Sequence, residues 1–174
     1  PYFENSSGKA VVNVDNYWGV ELAKTLKNNC WKCSLKEECK DNVELFISDL
    51  EVTSEVIKGR LCSPIGEGFF KSPLIGTFNL MNLLQSVGVL LQQGLPLQEL
   101  LDAIVDFPGV PGRMERINIS KSNFQPPIVL VDYAHTPDGL ENALIAARSL
   151  TKGRLICLFG CGGDRDRNKR SKMG

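Results

Sequence analysis

Between Ile128 and Asp166 the chain alternates apolar runs with polar turns in an order that few folds accommodate. Ile128-Val129-Leu130-Val131 leads into Asp132-Tyr133-Ala134-His135-Thr136-Pro137-Asp138. A helical pattern from Leu140 to Leu150 follows, then a second apolar run, Leu155 to Phe159, and the loop Gly160-Cys161-Gly162-Gly163-Asp164-Arg165-Asp166. Strand, turn, helix, strand and loop make one βαβ unit with its polar residues at the carboxyl ends of the strands. In an open parallel sheet that edge is where ligands bind. The only histidine of the chain, His135, falls there.

The rest of the sequence supplies a second α/β segment. Ala10 to Val14 is expected as a strand ending at Asp15, and Val20 to Lys27 as a helix. Asn28 to Asn42, polar and cysteine-bearing, reads as a loop. Val43 to Phe70 reads as short antiparallel strands with turns at Gly59, Gly66 and Gly68. Leu80, Leu83, Leu84, Val87, Leu90 and Leu91 form a helical stripe that stops at Gly94, with its apolar side at risk of exposure. A shorter helix covers Leu97 to Phe107. Phe107-Pro108-Gly109-Val110-Pro111-Gly112 cannot continue a helix or a ladder, so it marks the expected domain boundary. Arg113 to Ile119 is an expected strand.

Twenty basic and twenty acidic residues leave no net charge in 174 residues, which argues against nucleic acid as the main partner. No apolar run is long enough to span a membrane. Six cysteines impose no disulfide framework. Cys157 and Cys161, in or beside an expected buried strand, read as small hydrophobes.

Several side chains carry candidate chemistry. Asp132, at a strand tip, can accept hydrogen bonds from ribose hydroxyls; the N-cap that it could otherwise be is already supplied by Thr136, with Pro137 as first helical residue. His135 suits either a structural hydrogen bond or a functional role. Arg165 offers a two-point fork for a carboxylate or phosphate, whereas Arg167, Lys169, Arg170 and Lys172 read as solvated charge. Asn79 and Asn82 fit helix caps or amides that read an adenine edge. Arg113 follows the boundary loop and could reach a ligand. Gly160 to Gly163 lacks the endings of a P-loop and the spacing of a dinucleotide fingerprint, which sets aside a dinucleotide-dependent oxidoreductase. Cys30-x-x-Cys33 with Cys39 resembles half of a zinc knuckle without a regular fourth ligand.

Gly76-Thr77-Phe78-Asn79-x-x-Asn82, Gly112-Arg113-Met114-Glu115, Asp132 to Asp138 and Gly160 to Arg170, in that order, resemble the Mur ligase family. Asn13-Val14-Asp15 through Gly19 is similar to the family's N-x-D-D-x-x-G segment, with Asn16 in place of the second aspartate. The resemblance implies an α/β protein: residues 1–109 as the end of a central ATP-binding domain, and 110–174 as the start of a Rossmann-like C-terminal domain. It implies an ATP- and Mg2+-dependent amide ligase of peptidoglycan precursor synthesis, acting as a cytoplasmic monomer without nucleic-acid or membrane partners. Its substrates would be a UDP-N-acetylmuramoyl dipeptide and diaminopimelate. Asn79 and Asn82 would lie near the adenine, Arg113 near the nucleotide and Asp132 on the ribose. His135, beside the phosphates, is the candidate catalytic residue. Arg165 would hold a carboxylate of the incoming amino acid.

The Gly-Cys-Gly-Gly-Asp-Arg form resembles diaminopimelate-adding members, whereas lysine-adding relatives tend to carry Ala-Gly-Glu-Arg. The family's Gly-Lys-Thr loop, magnesium carboxylate, carbamylated lysine and Asp-Asn-Pro-Arg motif do not occur in the sequence. An interior piece of a longer enzyme, inactive by itself, is therefore the expectation. A non-catalytic relative of plastid type, docking or binding metal through Cys30, Cys33 and Cys39, is the alternative.

Overall fold

The computed structural model describes residues 8–53, 55–118, 127–162 and 166–174. The chain divides into two compact units, one of Pro1–Pro73 with Thr77–Phe107 and one of Leu74–Gly76 with Pro108–Gly174.

The first unit is an α/β layer structure around a five-stranded sheet, ordered β1 (Ala10–Asn13), β2 (Cys30–Ser34), β3 (Leu45–Val52), β4 (Ile57–Ser63), β5 (Gly66–Ser72). The first three strands are parallel and the last three antiparallel. Alternation along β1 decides what covers each face. Val12 packs with Ala23 and Cys30 under helix α1 (Tyr17–Leu26), while Val11 points at Gly88 of helix α2 (Thr77–Gln92). The parallel part is thus buried on both faces, as such sheets require. Helix α2 buries Leu80, Leu83, Leu84, Val87 and Leu91, so its stripe is core rather than exposed surface. Gly88 permits that approach, because a Cβ there would lie 2.3 Å from Leu45 Cδ1. Helix α3 (Leu97–Asp106) packs on β5, with Leu101 over Gly68.

Three expectations change here. Asn28 to Asn42 is not a loop. It contains β2, an interior strand, followed by a 3-10 turn at Glu37–Asn42. Cys30 and Cys33 are buried because free cysteine packs as a small hydrophobe. Gly59 and Gly68 lie inside β4 and β5, where close neighbours, not turns, favour glycine. Only Gly66, at φ 153°, closes the hairpin.

The second unit contains a two-stranded antiparallel ladder, β6 (Glu115–Ile117) with β7 (Val129–Val131), then helices α4 (Pro137–Leu150) and α5 (Lys169–Met173). Thr136 caps α4, its hydroxyl accepting from Gly139 N at 3.1 Å, and Pro137 opens the helix. The second strand of the expected βαβ unit does not form: Leu155 to Phe159 joins no ladder among the described residues. Ile156 is 72 % and Leu158 98 % exposed, and Cys157 is exposed too. An apolar run becomes a strand only where a neighbouring strand pairs with its backbone groups. Cys161 is half-buried, its sulfur 3.3 Å from that of Met173.

Candidate functional site

The ladder register arranges the second unit's candidate residues. In β6–β7, Glu115 pairs with Val131, Arg116 with Leu130 and Ile117 with Val129. Continuing that register one and two steps further sets Met114 opposite Asp132, and Arg113 opposite Tyr133. The ladder itself stops, and side chains take over its work. Asp132 Oδ2 accepts from Met114 N at 2.8 Å, and Asp132 Oδ1 accepts from Ala134 N at 2.8 Å. Each carboxylate oxygen has two acceptor positions, so each retains one for another donor.

The loop entering this site is bent. Gly112 has φ 71° and Met114 φ 50°. The left-handed region costs a residue with a side chain about 1–2 kcal/mol, so the surrounding contacts must hold Met114 there. Three do so: Gly112 N donates to Glu115 Oε2 at 2.7 Å, Arg113 N to Val110 O at 3.0 Å, and the Met114 amide to Asp132. The Met114 side chain is buried.

Side chains of the two segments also meet directly. The Arg113 guanidinium lies 5.1 Å from the Tyr133 ring centroid. The Tyr133 and His135 rings are 5.2 Å apart at 59°. His135 Nδ1 lies 3.1 Å from the Tyr133 carbonyl oxygen. A carbonyl can only accept, so Nδ1 carries the proton and Nε2 is the nitrogen available to a ligand. Lys169 Nζ donates to the His135 carbonyl at 3.2 Å, so this lysine is tied to the turn rather than simply solvated. Arg113, Asp132 and His135 are therefore brought together, with two cations and an imidazole around one carboxylate. Such a set can hold a polyanion and accept hydroxyl hydrogen bonds.

Asn79 and Asn82 belong to the first unit, one turn apart in α2. Asn79 is buried and Asn82 exposed; lying inside α2, neither is its N-cap. Arg165 lies outside the described residues, as does Asp164.

The Asn13 to Gly19 segment is a brace between strand ends. The Asp15 carboxylate accepts from the Ser34 hydroxyl and, at 3.1 Å, from Leu35 N. Asn16 Oδ1 caps α1 by accepting from Gly19 N at 2.9 Å. Gly19 is dictated by space, since a Cβ there would lie 1.7 Å from Asn13 O.

Cys30 and Cys33 cannot share a metal, because side chains three apart on a strand leave opposite faces. Cys30 Sγ lies 3.4 Å from Lys27 O on the α1 side, and Cys33 Sγ 3.7 Å from Met81 Sδ on the α2 side. Burial, and then the Asp15 carboxylate, push the Cys33 thiol up to about 12. Burial, then Glu44, also raises Cys30. Both are held as neutral thiols, which removes the metal-binding part of the non-catalytic alternative. Sequence reasoning missed Tyr133, Met114, Glu115 and Lys169 as parts of the site. Their signal was the ladder register and a backbone angle, neither of which a motif displays.

Comparison with known proteins agrees with this layout. Residues 3–90 match the Mur ligase middle domain, and residues 112–174 match the Mur ligase glutamate ligase domain. The chain is 57 % identical to a UDP-N-acetylmuramoyl-L-alanyl-D-glutamate–2,6-diaminopimelate ligase of Prochlorococcus marinus strain NATL2A, covering 98 % of this chain and 34 % of that protein. It is 60 % identical to the protein of the same name from strain MIT 9313, covering 99 % and 35 %. A solved structure of a ligase of that name is 34 % identical, with a TM-score of 0.66, over 95 % of this chain and 34 % of that one. The chain thus spans about a third of the length of the relatives it matches.

Proposed function

The chain belongs to the Mur ligase family, and on that premise we propose that it serves an ATP-dependent ligase joining meso-diaminopimelate to UDP-N-acetylmuramoyl-L-alanyl-D-glutamate. ATP would phosphorylate the glutamate side-chain carboxylate. The amine of diaminopimelate would then attack the acyl phosphate carbonyl, forming the amide and expelling inorganic phosphate. Residues 1–109 would be the latter part of the ATP-binding central domain and 110–174 the start of the C-terminal domain. The relatives at 57 % and 60 % identity are both named for diaminopimelate, which favours it over lysine.

The observation that carries the reading is the Asp132 bridge between Met114 N and Ala134 N, which gathers Arg113 and His135 beside a carboxylate with unused acceptor positions. In this reading Asp132 takes ribose hydroxyls, and Arg113 takes nucleotide phosphate charge. His135 Nε2 faces the transferring group as the catalytic contact, supplying a donor when protonated. Asn79 and Asn82 read the adenine edge, and Arg165 holds a carboxylate of the incoming amino acid. Mg2+ would accompany the nucleotide. Among the described residues no cluster of three or more histidine, cysteine or carboxylate groups is placed to hold a metal, so no step here is routed through it. No helix among those residues is long and apolar enough to cross a membrane. A cytoplasmic monomer acting on small molecules, without nucleic acid, completes the proposal.

The test uses the full-length enzyme carrying this segment. ADP formation should require both the UDP-linked dipeptide and meso-diaminopimelate. Equal rates with L-lysine would overturn the substrate assignment, and ADP release indifferent to the amine would overturn the ligase reading. For Arg165→Ala, KM for diaminopimelate should rise far more than KM for ATP; equal changes would remove Arg165 from the amino-acid site.

A further inference from the structure

Tyr133 has no role in the reading above, and its surroundings are those of a working part. Its ring is 64 % exposed, so no core demands an aromatic there. The partners recorded for that ring are the Arg113 guanidinium, 5.1 Å from its centroid, and the His135 imidazole, 5.2 Å away. The β6–β7 register brings it opposite Arg113 just where backbone pairing has ended. One residue earlier, Asp132 grips the same loop from below, holding the Met114 amide while Met114 sits at φ 50°.

We propose that Asp132 and Tyr133 are positioning residues that together fix the direction of Arg113. Asp132 holds the backbone on one side of the arginine through Met114 N, and the Tyr133 face holds the guanidinium itself. An arginine on a bent loop samples many rotamers, and each one lost on binding weakens affinity. A ring beneath the guanidinium removes that loss while leaving its N–H edges free for an anion, because cation–π contact uses the face of the group. Asp132 therefore has two duties: one lone pair on each oxygen holds the loop, and the remaining pair on each serves the ligand. The inference rests on the nucleotide reading of Arg113.

The test is kinetic and uses the full-length enzyme. Exposed cation–π contacts correspond to roughly two- to fivefold in binding, so Tyr133→Leu should raise KM for ATP by about that factor with kcat little changed. Tyr133→Phe keeps the ring and should behave as wild type. In an Arg113→Ala background Tyr133→Leu should add nothing, and its melting temperature should match wild type because the ring is exposed. Asp132→Asn places an N–H against the Met114 or Ala134 amide, and should weaken ATP and 2′,3′-dideoxy-ATP by similar factors. A loss seen only with ATP would reduce Asp132 to a ribose contact and overturn its positioning role. A silent Tyr133→Leu, or one whose effect multiplies with that of Arg113→Ala, would overturn the role of Tyr133. If Arg113→Ala leaves KM for ATP unchanged, the nucleotide reading of Arg113 fails and the inference fails with it.

Discussion

Asn16 stands where the family resemblance expects a second aspartate, and its hydrogen bond explains why the exchange is harmless. As N-cap of α1 it accepts from Gly19 N, a task that asparagine and aspartate perform about equally well. Asn16→Asp should therefore be nearly neutral in urea unfolding, whereas Asn16→Ala should cost about 1 kcal/mol. Cys33 gives a prediction of opposite character. Its thiol is raised from 9.0 to about 12, so the folded state resists the thiolate more than the unfolded state does. That stabilisation is complete below pH 9 and is lost as pH climbs towards 12. Urea midpoints should fall across that window, and Cys33→Ala should flatten the fall. At pH 8 iodoacetamide should label exposed Cys157 well before Cys30 or Cys33; rapid labelling of Cys33 would contradict its burial. At this scale the site was legible where chemistry is written in residue type: Asp132, His135 and Arg113 announce themselves. Tyr133 did not, since its importance comes from facing Arg113 across strand ends.

Elements were legible in proportion to how far their identity is local. Helices α2, α3 and α4 follow from 3.6-residue periodicity and from Pro96, Thr136 and Pro137 at their starts. Strand β2 was hidden because Cys30-Trp31-Lys32-Cys33-Ser34 is short, flanked by asparagines and lysines, and apolar only if cysteine is counted so. Leu155 to Phe159 misled in the other direction. Its composition suits a buried strand, but a strand also needs a partner edge, and composition carries no information about that. The connection from β1 into α1 offers a sharp element-level test. Gly19→Ala drives a methyl into the Asn13 carbonyl, a backbone atom that cannot rotate away. It should lower stability by about 1–3 kcal/mol, the usual cost of overpacking, read as a drop in melting temperature. An unchanged melt would mean that this turn can relax.

At the scale of the whole chain, the two units differ in how completely they bury their apolar residues. The first has fully enclosed leucines at positions 45, 80 and 84, while the second leaves Leu158 98 % exposed beside Ile156 and Phe159. The 174-residue chain should therefore bind a hydrophobic dye such as ANS through this segment. Leu158→Ser should reduce that fluorescence without lowering the melting temperature. Above both units stands the proposed chemistry, in which oxygen of the glutamate carboxylate leaves with the phosphate. The most direct test supplies the full-length enzyme with UDP-linked dipeptide labelled with 18O in the glutamate side-chain carboxylate, together with ATP and meso-diaminopimelate. The released phosphate should carry one labelled oxygen per amide bond formed, as transfer through an acyl phosphate demands. Unlabelled phosphate from a reaction that still forms the amide would contradict the account.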